Sequence, residues 1–129
     1  EVDGSGQDGT EVDIFESMYY KDVKWGFGDA VISGIHYDGY GEGHNGDSID
    51  KWLVSNNPYE EFNTYGLEWN ENEYIFYING VETARTSFGG VCQVPLYLII
   101  SLGVDEKVYD NEYLPASMVV DYVRCYQYL

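Results

Sequence analysis

Three carboxylates stand close together early in the sequence, in the run Glu11-Val12-Asp13-Ile14-Phe15-Glu16. Side chains alternate across a strand, so Glu11 and Asp13 share a face, while Glu16 falls on the other by parity. A single β-bulge between Asp13 and Glu16 inserts one unpaired residue and returns Glu16 to the acidic face. The adjacent apolar pair Ile14-Phe15 is the form such a bulge takes in a sequence. Carboxylates in one row raise each other's pKa and resist simultaneous ionisation. Cleavage of a glycosidic bond needs that disparity. One carboxylate is ionised to attack the anomeric carbon, and a second stays protonated to release the leaving oxygen. Carboxyls about 5–5.5 Å apart suit a retaining reaction, because no water fits between sugar and nucleophile. The competing reading of the same residues is an exposed acidic edge strand, solvated or bound to a cation.

The elements that must hold this row are strands. Asp38-Gly39, Gly41, Gly43, Asn45-Gly46, Asn79-Gly80 and Gly89-Gly90 punctuate runs that alternate or are continuously apolar. Asn79-Gly80, between Tyr74–Ile78 and Val81–Arg85, is a two-residue hairpin signal. Strands are expected near 10–18, 29–37, 62–69, 73–79, 81–87, 95–103 and 117–127, with loops at 56–59, 38–50 and 104–117. No segment keeps helical periodicity for three turns, and no internal repeat is present. Many strands joined by short turns predict an all-β sandwich or barrel of jelly-roll type.

Composition narrows the partner. Aromatic residues make up 17% of the 129 positions, many of them in runs with Val and Ile that favour strands. Asp and Glu number 23 against 6 Lys and Arg, a formal charge of −17. A nucleic-acid binder must neutralise phosphates with cations, so nucleic acid is excluded as a partner. Anionic membranes and sulfated polymers are disfavoured by the same repulsion, leaving a neutral polymer or a cation. No signal-like segment opens the sequence, and no apolar run is long enough to span a bilayer. Cys92 and Cys125 fit one bridge or two reduced thiols equally well.

The acidic run resembles the bulged active-site motif of family 16 glycoside hydrolases, the group containing laminarinases, lichenases, agarases and carrageenases. Further segments agree in the family's order: Phe62–Trp69 with Tyr74–Gly80, then Pro95–Gly103, then Met118–Gln127. The likeness covers residues 9 to 127. It implies a concanavalin-like β-jelly-roll sandwich whose concave sheet binds a glycan. By position in the motif, Glu11 would be the nucleophile, Asp13 its assistant and Glu16 the acid/base. The extra residue in the motif goes with the laminarinase, agarase and carrageenase branches. His36 matches a strand position where many laminarinase-like members carry a histidine near the acid/base. Trp69 matches a family position, and with Trp25 and Trp52 it is a candidate for stacking on sugar rings. Asp121 matches a closing-strand aspartate that binds a structural calcium in many members. A local metal site at His44 and Asp47 is disfavoured.

The resemblance implies a secreted or extracellular retaining endo-β-glucanase that hydrolyses β-1,3-glucan or mixed-linkage β-1,3/1,4-glucan without a catalytic cofactor. The alternative is a non-catalytic, lectin-like β-glucan-binding protein on the same fold. The family domain is nearly twice this length, with its catalytic strand near the middle. The chain is therefore expected to be one domain over 1–129, the C-terminal half of a catalytic domain. A missing N-terminal half or a strand-exchanged copy would complete its sheets.

Overall fold

A computed structural model of the chain describes residues 10–17, 30–39, 41–53, 57–103 and 115–128, with only the backbone of 50–53. The chain divides into two units, Glu1–Pro95 and Leu96–Leu129. The first holds six strands: β1 Glu11–Glu16, β2 Ala30–Tyr37, β3 Asn45–Leu53, β4 Tyr65–Trp69, β5 Tyr74–Ile78 and β6 Val81–Thr86. They form two antiparallel sheets, ordered β1-β2-β3 and β4-β5-β6. The described residues contain no helix, and the architecture is a partial β-jelly-roll sandwich.

The hairpin predicted at Asn79-Gly80 is present. Both residues have positive φ, 51° and 78°, the conformation a two-residue turn needs to match strand twist. The Asn79 side chain then ties the turn to the start of β4. Its Oδ1 accepts from Thr64 N at 2.9 Å, and its Nδ2 donates to Asn63 Oδ1 at 2.8 Å.

The core lies between the sheets. Ile35 of the first sheet and Tyr74 and Phe76 of the second are essentially sealed from solvent, together with Cys92. Val12, Ile49, Leu67, Trp69, Ala84 and Phe88 pack around them. Polar groups entering this core find partners. Tyr74 Oη accepts from Cys92 N at 2.7 Å, and Trp69 Nε1 donates to Cys92 O at 2.8 Å. Truncating Phe76 to alanine would cost about 3–5 kcal/mol, typical of a buried ring.

Two expectations change here. Residues 45–50 were expected in a loop at the cleft edge, yet they begin β3. Their polarity reads as a loop in sequence, but an edge strand with a solvated face takes such residues. The strands expected at 95–103 and 117–127 are absent: described residues 96–103 and 115–128 carry no ladder. Val119, Tyr122 and Val123 are exposed there, as are Tyr97, Leu98 and Ile99. An alternating or continuously apolar run marks a segment able to be a strand. A ladder forms only when a neighbour offers N–H and C=O groups in register, and none of the described residues does so.

Candidate active site

The first sheet decides where the carboxylates point. In β1, Glu11 pairs with His36, Asp13 with Gly34 and Glu16 with Ile32 of β2. These partners step by two, so they lie on one face of β2 and carry all three carboxylates onto one face of β1. The register shift between Asp13 and Glu16 is the expected bulge. Local chemistry holds it there. Ser33 Oγ donates to Ile14 O at 2.9 Å, taking up a carbonyl of the interrupted ladder. Phe15 stacks on Tyr65 of β4, with centroids 3.9 Å apart and planes 18° apart. Beyond the strand, Ser17 Oγ donates to Ala30 O at 3.3 Å and also hydrogen-bonds Tyr59 Oη. Ile35, next to His36 and Gly34 on β2, points into the core. The acidic row therefore faces away from the second sheet.

Asp13 is the least solvated of the three. Its carboxyl is pushed up to about 7, first by burial, then by the charges of Glu16 and Glu11, and further by its hydrogen bond to Glu11. A hydrogen bond that raises a carboxyl's pKa is one in which the neutral form donates. Protonated Asp13 thus donates to Glu11. On its other side, His36 Nε2 lies 3.3 Å from Asp13 Oδ2, with both side chains largely covered. His36 Nδ1 is in turn 2.9 Å from His44 Nε2. The imidazole centroids are 5.1 Å apart and the planes differ by 11°. With the ring nitrogens so close, the rings meet edge to edge rather than face to face.

Two glycines make room for the His36 ring. A Cβ on Gly46, opposite His36 in β3, would overlap that ring. A Cβ on Gly34 would sit 3.3 Å from His36 Nε2 and 3.5 Å from Asp13 Oδ2. Sequence reading missed His44 as a site residue and took Gly46 as part of a turn. The strand parity of Gly34, His36, Gly46 and Ser48 is the signal that links them, once β3 is recognised.

The remaining expected site residues are Trp69, Trp52, Trp25 and Asp121. Trp69 is partly buried against the core, and its indole N–H donates to Cys92 O. Trp52 contributes its backbone to β3 opposite Val31, and its side chain lies outside the described residues, as does Trp25. Asp121 is an exposed single carboxylate in the second unit. Calcium takes six to eight oxygens. Among the described residues no group of three or more His, Cys, Asp or Glu side chains gathers. Cys92 is buried, Cys125 exposed, and neither is in a disulfide.

The β-sandwich thus carries an acidic row on the outward face of one sheet, with the central carboxyl raised to about 7. The model for glycosyl hydrolases family 16 matches residues 2–102, and the chain belongs to that family. A β-glucanase of Brevibacillus brevis is 35% identical over 71 residues, covering 50% of this chain and 27% of that protein. A keratan-sulfate endo-1,4-beta-galactosidase of Sphingobacterium multivorum is 33% identical over 103 residues, covering 72% of this chain and 24% of that protein. The chain spans about a quarter of the length of these curated relatives. No solved structure matches it significantly.

Proposed function

We propose that this chain carries the catalytic strand of a secreted, retaining endo-glycanase that hydrolyses β-glucan, with β-1,3 or mixed β-1,3/1,4 linkages. The observation that carries the reading is the register of β1 on β2, which sets Glu11, Asp13 and Glu16 on one face. Glu16 gives its proton to the leaving oxygen as Glu11 attacks the anomeric carbon, forming a glycosyl-enzyme ester. Glu16, now a carboxylate, takes a proton from water. The hydroxide attacks the anomeric carbon and Glu11 leaves as a carboxylate. Asp13 donates its hydrogen bond to ionised Glu11, steadying the nucleophile without adding a second negative charge beside it. The exposed apolar stretches 96–103 and 118–123 fit a role in pairing with strands outside the described residues, either a preceding half of the domain or a second copy.

A second substrate reading has its own support. The galactosidase relative covers more of the chain than the glucanase does. Against it stands the formal charge of −17, which repels a sulfated polymer. The test is release of new reducing ends from laminarin, mixed-linkage β-glucan, agarose and keratan sulfate. Release from either glucan supports the proposal, and release from agarose or keratan sulfate alone moves the assignment to galactans. Glu11→Gln should abolish turnover while glycan binding persists. Near-normal turnover in that variant would remove Glu11 from the nucleophile's role. Glycan binding with no release by the unaltered chain would favour the lectin-like alternative.

A further inference from the structure

The acidic row is backed by a line of groups that does not stop at His36. It runs Glu11, Asp13, His36, His44, and the last member comes from the turn between β2 and β3 rather than from the sheet. Neutral imidazole carries one proton, and which nitrogen holds it is set by the partner of the other. His36 has a partner at each nitrogen. If Nδ1 holds the proton, Nε2 is a bare acceptor facing Asp13, and the Asp13 proton turns toward His36 and away from Glu11. If Nε2 holds it, Asp13 Oδ2 accepts, and the Asp13 proton points at Glu11.

We infer that His44 is a positioning residue: its Nε2–H donates to His36 Nδ1, keeps the His36 proton on Nε2, and so directs the proton of Asp13 to Glu11. The hydrogen bonds then all run one way, from His44 to His36 to Asp13 to Glu11. The turn is shaped to deliver this contact. Asp38 and Gly39 both take positive φ, 69° and 64°, and His44 N donates to Gly41 O at 3.1 Å. Gly46 leaves room for the ring of His36, which a Cβ there would overlap. Among the described residues, Asp13 of β1 lies against His36 Nε2 and His44 of the turn against Nδ1, while its β3 partner Gly46 presents no side chain.

The inference deepens the hydrolase reading and rests on it for its catalytic meaning, but its primary readout does not need turnover. Nitrogen-15 spectra of the histidine rings in the full chain, from about pH 5 to about pH 9, report which His36 nitrogen is protonated once the ring is neutral. The unaltered chain should show the Nε2–H form. His44→Ala, at an exposed turn position, should raise the Nδ1–H population by about threefold to tenfold, the worth of one neutral hydrogen bond. His44→Gln, whose amide N–H reaches the same nitrogen, should return His36 to the Nε2–H form. An unchanged tautomer in His44→Ala would overturn the inference, as would equal shifts in the alanine and glutamine variants. Where the chain is active, His44→Ala should lower kcat with KM held, and an unaltered kcat would likewise overturn it. Absence of glycan cleavage with the expected tautomer shift would sink the hydrolase reading and leave the His44 assignment standing.

Discussion

Asparagine at position 13 copies the shape of the neutral acid, since its amide N–H donates to Glu11 and its carbonyl accepts from His36 Nε2. Asp13→Asn therefore isolates the cost of ionising this carboxyl within the fold. The folded chain holds the Asp13 proton up to about pH 7, against an ordinary value of 3.8. Between those values the folded state binds more proton than the unfolded state, so stability falls as pH rises. At 1.36 kcal/mol per unit the full interval amounts to roughly 4 kcal/mol. Asp13 keeps 16% of its side chain exposed beside an open face. Solvent screening there reduces the expected effect to about 2 kcal/mol. Urea unfolding of both proteins at several pH values tests it. The two should be nearly equal in stability near pH 4, with the asparagine variant gaining through neutrality and levelling off about 2 kcal/mol ahead above about pH 8. A stability difference that stays constant over that span would refute the argument that Asp13 is held neutral by its surroundings.

Ser33→Ala removes the hydroxyl that donates to Ile14 O at the bulge. It should cost about 1 kcal/mol in denaturant unfolding and lower kcat by loosening Glu16, whereas unchanged kcat would show that the bulge holds its shape without Ser33. Gly46→Ala places a Cβ into the His36 ring, so the ring must leave its place beside Asp13. A fall of the Asp13 pKa toward the ordinary carboxylate range, read by carbon-13 titration, is not expected here, because burial and Glu16 raise it first; the His36 ring resonances should shift instead. Trp69→Phe deletes the indole bond to Cys92 O within the core. About 1–2 kcal/mol of stability should be lost with glycan affinity unchanged, and a selective loss of affinity would restore Trp69 as a sugar platform.

How much of this was legible beforehand depends on the range of the physics involved. Alternation along one strand is local, so the sequence alone indicated that Glu11 and Asp13 share a face and that Glu16 joins them only through a bulge. The positive-φ demand of a two-residue turn is equally local, and Asn79-Gly80 marked the β5–β6 hairpin without further information. Strand pairing is not local. Residues 45–50 are polar enough to read as a loop, and only the ladder with β2 makes them part of β3 and brings Gly46 beneath His36. Residues 96–103 show the converse, a nearly continuous apolar run without a ladder among the described residues. Trp69 is suited by type to either a core or a sugar platform, and only the fold shows that it packs partly buried against the core with its indole N–H on Cys92 O. The sequence by itself determined the chemistry available in the acidic row. Tertiary structure decided its setting, because the burial of Asp13 and the meeting of His36 with His44 arise only when separate strands and a turn are folded together.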